Sequence, residues 1–294
     1  MDNQQNLTKT NINWFPGHMK KNLRELESSL KIIDAVICVL DARAPFSCIN
    51  PELEKLFQNK KIIYCLNKID MADKVVTDEW IKYFRSKNKV ALAIDATKSA
   101  CKNLLLSAIN EATKEKQEKQ KLKGIASKIR VAIVGVPNTG KSTLLNTLAG
   151  NYVSKTGNIA GVTRSSAWIK LKNNIELMDN AGTLYPKLSN KFVAMNLAFL
   201  GSINDVVVDS NELAGLLVER LQKIASQKFY ERYEVDSTLT GIEEVINAIG
   251  KKRGFLLKGD KVDYDRTCLA IIDDFRKCRI GKITLENPKD IGLV

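Results

Sequence analysis

The amino-acid sequence predicts an α/β domain, with a mostly parallel six-stranded sheet and helices on both faces, followed by an all-α C-terminal domain. Six short apolar runs rich in β-branched residues alternate with helix-like stretches in the first part of the chain. Most of these runs are nearly continuous, which is typical of strands buried on both faces of a parallel sheet. After residue 186 the apolar residues recur with a helical period and strand signals become few, which predicts a separate helical domain.

The strands are predicted at 35–41, 61–67, 90–95, 130–135, 168–171 and 175–179, with helices between them at 51–58, 77–85 and 103–111. The helical pattern of the C-terminal part covers 213–233, 242–249 and 268–275. Residues 111–128 are dense in Lys, Glu and Gln, so we expect an exposed helix that runs into a linker. The predicted domains are a disordered tail at 1–12, the α/β domain at 13–186 with a charged joint at about 111–129, and the helical domain at 187–294.

Composition is that of a globular protein, with 44% hydrophobic and 27% charged residues. No apolar run approaches the ~20 residues needed to span a bilayer. The polar first residues contain Asp2 and lack arginine, unlike a signal or transit peptide. The formal net charge of +13 favours nucleic acid or acidic membrane surfaces as partners, although a lysine-rich proteome would produce the same excess.

The six cysteines show no C-x-x-C pairing and His18 is the only histidine, which argues against a structural zinc site. Cys38 and Cys65 lie inside apolar runs, so we expect them to be small core residues. This usage is typical of a reduced, cytoplasm-like compartment.

Residues 135–142 read G-V-P-N-T-G-K-S and match the P-loop pattern in full, between a predicted strand and an amphipathic helix. Glycines in such a loop let backbone N–H groups converge on phosphate oxygens at a helix N-terminus. Lys141 is expected to reach the β- and γ-phosphates, and the Ser142 hydroxyl to ligate Mg²⁺. The alternative interpretation is a glycine turn with an incidental lysine.

Asn67-Lys68-Ile69-Asp70 follows another apolar strand and matches N-K-x-D. A carboxylate at Asp70 can accept hydrogen bonds from the ring N–H and exocyclic amine of guanine, and adenine offers neither in that arrangement. Two such bonds discriminate by roughly 10² to 10⁴. Alone, the pattern could be a polar strand-end turn. Ala96, in Asp95-Ala96-Thr97-Lys98, is predicted to pack its backbone against the guanine.

Two further segments complete a nucleotide switch. Asp179 is predicted to hold a Mg²⁺-bound water, the Gly182 N–H to sense a γ-phosphate, and Thr163 to close over Mg²⁺ from a loop. The predicted nucleotide-binding residues are Asn67, Lys68, Asp70, Ala96, Asn138, Thr139, Gly140, Lys141, Ser142, Thr143 and Gly182. Because the guanine motifs precede the P-loop, the order is circularly permuted, with residues 111–128 as the joint.

With these motifs the sequence resembles the YlqF/RbgA family of circularly permuted GTPases, which act in assembly of the large ribosomal subunit. The resemblance runs from Asn13 over nearly the whole chain. It also rests on W-F-P-G-H-M at 14–19, D-A-R at 41–43, L-Y-P-K at 184–187 and A-I-G-K-K-R-G at 248–254.

The resemblance implies GTP hydrolysis in a late step of large-subunit assembly, with rRNA and ribosomal proteins as partners. It implies a monomer in the bacterial cytoplasm, or an organellar relative. It assigns His18 to hydrolysis beside Lys141, and it implies potassium activation through Asn138. It further implies rRNA contacts by the helical domain, consistent with the basic clusters at 251–253 and 276–279, which could also be solvated helix faces.

The chain departs from the family pattern in its switches. Ala160 and Ala181 stand where the family usually has proline, which removes a fixed φ angle from each switch. Thr183 replaces the usual hydrophobic residue and the glutamine of Ras-type enzymes. We therefore predict looser switches and slower or more partner-dependent hydrolysis.

Three alternatives stay open. A nucleotide-gated RNA-binding scaffold with little hydrolysis is compatible with these departures. A permuted GTPase acting on the small subunit would typically carry a zinc site or an added barrel, and the cysteine spacing argues against the former. An ATPase or kinase is disfavoured by Asn67 and Asp70.

Overall fold

The computed structural model describes residues 17–126, 128–150, 167–171, 174–179, 182–184 and 190–293, with side chains from residue 23 onward and, in the fifth strand, from residue 168. Six strands form one sheet in the order β3-β2-β1-β4-β6-β5, parallel throughout except for the antiparallel pair of β5 and β6. The predicted α/β fold with a mostly parallel six-stranded sheet is therefore confirmed.

The strands are β1 Ala35–Asp41, β2 Lys61–Asn67, β3 Val90–Ala93, β4 Ile129–Val134, β5 Ala167–Lys170 and β6 Ile175–Asp179. Three of them have the predicted bounds. Of the others, β4 and β5 each begin and end one residue earlier than predicted, and β3 ends two residues earlier.

The helices of the first part are α1 Gly17–Ser29, α2 Pro45–Cys48, α3 Pro51–Leu56, α4 Lys74–Ser86, α5 Ala100–Ala112, α6 Lys114–Leu122 and α7 Lys141–Ala149. The C-terminal part contains α8 Lys191–Phe199, a 3₁₀ turn at Asp205–Val207, α9 Ser210–Ile224, α10 Ser226–Tyr233, α11 Ile242–Lys252 and α12 Tyr264–Arg276. Within the described ranges, no helix is both long and apolar enough to cross a bilayer.

Both faces of the sheet are covered, which explains the continuous apolar runs. Alternate residues of β1 point to opposite sides, so Ile37 packs with α5 and α7 while Cys38 packs on the face that carries α1 and α4. Every residue of β1 is buried as a result. Cys38 and Cys65 are buried core residues, as expected.

The C-terminal helices pack on the α/β part. The hydrophobic cluster on the α1 and α4 face continues into α8, α9 and α12, where Leu217 and Phe275 are buried. After α12 the chain returns along the α/β part as a segment that we call the C-terminal strap, residues 277–293. The domain boundary at 186 stays a prediction, and the contacts across it place the end of the chain beside the guanine motif.

Two local expectations can be compared with the structure. The charged stretch forms α6, in which no residue is buried, as predicted for an exposed helix. The single helical pattern at 213–233 is wrong in one respect, because it divides into α9 and α10 at Ala225. The backbone of Ala225 has φ −149° and ψ 37°, outside the helical region, and this bend lets Phe229 and Tyr233 enter the core.

Candidate nucleotide-binding site

The motifs meet at the carboxyl edge of the sheet. Asp41 and Asn67 are paired in register at the ends of β1 and β2, and Asp179 ends β6 opposite Ile133 of β4. The chain runs outward to β2 from β1 and outward to β6 from β4, so the topology reverses between β1 and β4. In open α/β sheets, ligands bind in the crevice at such a reversal.

The P-loop joins β4 to α7. Gly135 (φ 149°) and Gly140 (φ 93°) both adopt left-handed backbone conformations. A Cβ at Gly135 would overlap the carbonyl oxygen of Val39, and one at Gly140 would overlap the Asn67 amide. Both positions therefore require glycine for conformational and steric reasons.

Lys141 is buried at the start of α7, and its Nζ donates a hydrogen bond to the Val136 carbonyl at 2.7 Å. Burial lowers the pKa of Lys141 to about 8, although the nearby Asp179 carboxylate acts in the opposite direction. A phosphate arriving at the loop would add negative charge beside Lys141 and so favour its charged form.

The guanine motif contacts the P-loop directly. Asn67 Nδ2 donates to the Thr139 carbonyl at 2.8 Å, and Asn67 Oδ1 accepts from the Ala96 N–H at 2.9 Å. Lys68 Nζ donates to the Asn138 carbonyl at 2.5 Å. Two side chains from one motif thus hold the phosphate loop and the 95–98 segment together.

Asp70 is exposed three residues after Asn67, on the same edge of the sheet as the P-loop. The Thr147 hydroxyl on α7 donates to the Ala96 carbonyl at 2.6 Å, which fixes the neighbouring turn. Because Asn67 contacts the P-loop backbone at Thr139, the motif that contains Asp70 begins at the edge of the sheet that carries the P-loop.

The segment around Gly182 closes against the P-loop. A Cβ added to Gly182 would lie 2.7 Å from the Pro137 Cα and 3.0 Å from Lys141 Nζ, so only glycine fits this approach. The Thr183 N–H donates to the Gly135 carbonyl at 3.2 Å, and the Thr183 carbonyl accepts from Asn50 Nδ2 at 3.2 Å. Thr183 itself is buried.

Some predicted residues fall outside this description. Thr163, Ala160 and Ala181 lie outside the described residues. For His18 only the backbone is described, in the first turn of α1.

Ser142 and Asp179 fit a magnesium ion by the chemistry of their donor atoms. A hydroxyl and a carboxylate are hard oxygen ligands of the kind that Mg²⁺ prefers. Asp179 is buried at the end of β6, near Lys141, and Ser142 lies in the first turn of α7. The residues present therefore suit the metal that the family implies.

Sequence reasoning gave no role to Asp41 and Arg43, although both are buried beside the guanine motif. Asp41 forms ion pairs with Arg43 at 2.8 Å and Lys68 at 2.9 Å. Burial opposes ionisation of Asp41, but the two cations outweigh it and hold the pKa of that carboxyl far below its usual value. The sequence signal that could have identified Asp41 is its position as an acidic residue at the end of a buried strand.

The loop after α8 also contacts the P-loop. Ser202 Oγ donates to the Pro137 carbonyl at 2.7 Å, and Asn138 Nδ2 donates to the Gly201 carbonyl at 2.5 Å. No motif in the sequence predicts this contact between the P-loop and the C-terminal part.

Arginines of both basic clusters bind acceptors within the protein. Arg276 turns inward, donating to the Ala198 and Phe199 carbonyls at 2.8 and 3.1 Å and pairing with Asp205 at 2.7 Å. Three other guanidinium groups converge on the buried Asp274 carboxylate, at 2.5–3.3 Å; we call this the arginine cluster, formed by Arg232, Arg253 and Arg279.

Comparisons with known proteins agree with this geometry. Residues 130–248 match the model of a family described as a 50S ribosome-binding GTPase. The chain is 39% identical over 282 residues to ribosome biogenesis GTPase A of Bacillus cereus, covering 96% of this chain and 95% of the relative. It is 32% identical over 285 residues to that of Thermotoga maritima, covering 95% and 96%.

Solved structures are similar along the chain as well. A GDP-bound YlqF structure superposes with a TM-score of 0.66 at 26% identity, covering 91% of this chain and 100% of that one. A GNP-bound YlqF from T. maritima gives 0.64 at 26% identity, covering 92% and 99%. On this identity over nearly the full length of both proteins, the chain belongs to the YlqF/RbgA family of circularly permuted GTPases, the family of ribosome biogenesis GTPase A.

Proposed function

We propose that this protein binds and hydrolyses GTP with Mg²⁺ and acts in a late step of large ribosomal subunit assembly, binding rRNA in a nucleotide-dependent manner. The observation that carries the proposal is the direct contact of the N-K-x-D motif with the P-loop, through Asn67 to Thr139 and Lys68 to Asn138. Because hydrogen bonds join the guanine-binding motif to the P-loop, the two can bind the base and the phosphates of one nucleotide.

Each part has a chemical task in this proposal. Asp70 accepts hydrogen bonds from guanine, and the Ala96 backbone lies against the base. The N–H groups of Thr139, Gly140 and Thr143 donate hydrogen bonds to phosphate oxygens, as is usual at a P-loop and helix N-terminus. Lys141 neutralises charge on the β- and γ-phosphates, and the Gly182 N–H distinguishes GTP from GDP.

Ser142, Asp179 and Thr163 would hold Mg²⁺, which would neutralise charge on the phosphate oxygens. The Asn138 amide oxygen would hold a potassium ion. In support, Asn138 lies in the P-loop with a left-handed backbone (φ 62°), and its Nδ2 is directed to Gly201.

We assign His18 to the hydrolytic step, as the residue that orders the attacking water. His18 lies in the first turn of α1, which is fixed to the core further along by the buried Leu26. Contact with the ribosomal subunit would then set the position of His18 and of the switches. This agrees with Ala160 and Ala181, which stand where the family usually has proline and leave the φ angle of each switch unfixed.

The ribosomal partner is supported by the names of the relatives, which are ribosome biogenesis GTPases, and by the net charge of +13. The arginine cluster supplies a basic surface on the helical part. The contacts of Pro137 and Asn138 with Ser202 and Gly201 offer a route by which a nucleotide could alter that part.

The test is GTP turnover by the purified protein with and without large ribosomal subunits, in potassium and in sodium buffer. We expect subunits to stimulate turnover, and potassium to exceed sodium. Co-sedimentation with subunits should be stronger with a non-hydrolysable GTP analogue than with GDP. Equal turnover with and without subunits, together with equal sedimentation in both nucleotides, would contradict the proposal.

A second candidate is a nucleotide-gated RNA-binding scaffold with little hydrolysis, which the departures at Ala181 and Thr183 favour. Single-turnover hydrolysis by wild type and by His18→Ala separates the two. A clear loss in the variant supports the GTPase, whereas equal and negligible rates support the scaffold.

A further inference from the structure

A series of charged side chains, Lys68, Asp41 and Arg43, connects the nucleotide site with α12. Arg43 binds the Asp41 carboxylate through two nitrogens, Nε to Oδ1 at 3.0 Å and Nη2 to Oδ2 at 2.8 Å. The same Oδ2 pairs with Lys68 Nζ at 2.9 Å, and Lys68 Nζ also donates to the Asn138 carbonyl in the P-loop. A bidentate pair of this kind fixes orientation as well as charge.

The other side of Arg43 is bound to the end of α12. Its Nη1 donates to the carbonyls of Phe275 at 3.4 Å and Arg276 at 3.2 Å, and its guanidinium lies 5.4 Å from the centre of the Phe275 ring. The last carbonyls of a helix lack partners within the helix and carry partial negative charge, so a guanidinium is a favourable partner for them.

The C-terminal strap adds hydrogen bonds to the segments that follow β1 and β2. The Leu285 N–H donates to the Arg43 carbonyl at 2.7 Å, and the Ile283 N–H donates to the Met71 carbonyl at 3.3 Å. The Asp73 N–H donates to Thr284 Oγ1 at 3.0 Å. Residues on both sides of the guanine motif are thus held by the segment that directly follows α12.

We propose that Arg43 is a positioning residue for the nucleotide, which sets Lys68 through Asp41 and couples the guanine motif and P-loop to the last turn of α12. This inference rests on the proposed function, because it concerns the same nucleotide pocket. Coupling of this kind is reciprocal: if α12 helps to hold the pocket, nucleotide binding must also stabilise the end of α12.

Two substitutions of Arg43 distinguish the effect of its bidentate geometry from the effect of its positive charge. In Arg43→Gln, Asp41 and Lys68 remain as an ion pair, so no charge is left without a partner, but the contact with α12 is lost. Arg43→Lys keeps a positive charge beside Asp41 without the two-pronged geometry. The matched control is Arg130→Gln, which removes the ion pair between Arg130 and Glu176. These two residues lie opposite each other on β4 and β6, away from the carboxyl edge of the sheet.

The first measurement is calorimetric titration with GDP and with a non-hydrolysable GTP analogue, reporting both affinity and the number of sites. We expect Arg43→Gln to raise Kd for both nucleotides by about tenfold and Arg43→Lys by less, with one site per molecule retained. KM for GTP should rise with little change in kcat, because Arg43 does not touch the reacting atoms. Arg130→Gln should bind as wild type does.

The second measurement is hydrogen exchange of the peptide covering 270–286, with and without GDP. We expect GDP to slow exchange there in wild type and in Arg130→Gln, and to have no effect in Arg43→Gln. A residue needed only for folding would not remove this difference between the free and bound protein.

These measurements distinguish a failure of the proposed function from a failure of the positioning role. If wild type binds no guanine nucleotide, the proposed function is wrong. If wild type binds GDP, while folded Arg43→Gln and Arg43→Lys bind it within about twofold of wild type and keep the exchange difference, the positioning role is wrong and the proposed function stands.

Discussion

Single side chains at the carboxyl edge of the sheet hold segments that lie far apart in the chain. Asn67 joins the P-loop to the 95–98 turn, and Lys68 joins the P-loop to Asp41. Glycines at 135, 140 and 182 allow these backbones to approach, because a methyl group at any of them would overlap a neighbouring atom. Substitutions at these glycines should therefore change nucleotide affinity.

Gly182→Ala should weaken binding of a GTP analogue more than binding of GDP. The added Cβ would lie 2.7 Å from the Pro137 Cα, so the segment would move and its N–H would leave the γ-phosphate position. Loss of one hydrogen bond to a charged group corresponds to roughly a tenfold to hundredfold loss of affinity. Titration with both nucleotides measures this.

Gly215→Ala is the matched control for that substitution. Gly215 lies within α9, and a Cβ there would meet only Ile242 Cγ2 at 3.5 Å, an ordinary contact. Alanine favours helix by about 1 kcal/mol over glycine, so this variant should keep its affinity and gain slightly in stability. An equal loss for GDP and the GTP analogue in Gly182→Ala would argue against a γ-phosphate sensor.

Nucleotide affinity should depend on the protonation of Lys141. Burial lowers the pKa of Lys141 to about 8, against the effect of Asp179. Since the charged form binds phosphate, Kd should be steady below about pH 8 and should rise above it, by up to about tenfold per pH unit. Calorimetry at about pH 8.5 in two buffers of different ionisation enthalpy should show proton uptake on binding.

Lys141→Met is the control for this pH dependence. The variant should bind nucleotide far more weakly and should lose the change in affinity near pH 8. If wild-type affinity stays constant from about pH 7 to 9, Lys141 does not contribute its charge to binding in the way proposed.

At the scale of elements, the C-terminal strap is fixed to the α/β part by a buried carboxylate. Glu286 accepts hydrogen bonds from the N–H groups of Phe46 and Ser47, from the Ser47 hydroxyl and from Asn196. Its own carbonyl accepts from Trp80 Nε1 at 2.9 Å. Burial raises the pKa of Glu286 to about 7, although these donors act in the opposite direction. The Glu286 side chain thus joins α2 and α8 to the strap, and its backbone carbonyl joins α4.

Glu286→Ala should lower the free energy of unfolding by about 2–4 kcal/mol, because several buried donors lose their acceptor. Denaturation in urea measures this. The control is Glu79→Ala, which removes contacts of a partly exposed carboxylate with Asn287 and Lys289 of the strap. Surface pairs contribute less than about 1 kcal/mol. Equal losses in both variants would mean that burial of Glu286 is not what holds the strap.

At the scale of the whole molecule, the chain carries a large positive charge and folds its C-terminal helices against the nucleotide domain. Arg276 is used within the protein, whereas in the arginine cluster three guanidinium groups face two carboxylates, Asp274 and Asp273, which leaves one positive charge in excess among them. Affinity for a polyanion should therefore depend more on the cluster than on lysines elsewhere.

Replacing Arg253 and Arg279 together by alanine should weaken binding to rRNA and reduce the slope of log Kd against log salt by about 1–2, since each phosphate contact contributes about one unit. Filter binding at several salt concentrations measures this. Replacing Lys119 and Lys121 on the exposed α6 removes the same charge and should leave the slope nearly unchanged. Equal slopes in both double variants would locate RNA binding elsewhere.

Much of this architecture could be predicted before the structure. The continuous runs at β1, β2 and β6 predict buried parallel strands with the observed bounds, because burial on both faces leaves a local signature. The P-loop follows β4 and the N-K-x-D motif begins at the end of β2, and parallel strands bring their carboxyl ends to one edge. Motif order alone therefore predicts a circularly permuted domain.

The six strands, the motifs and their order could be read from local patterns, because hydrophobic period and turn chemistry act between residues that are close in the chain. Three contacts depend on the folded arrangement instead: Arg43 joins Asp41 to α12, Arg276 turns inward, and Glu286 binds Ser47. The members of these pairs lie tens to hundreds of residues apart, except for Asp41 and Arg43. Such partners carry no periodic signal, since a buried charge is matched by whichever group the fold places beside it.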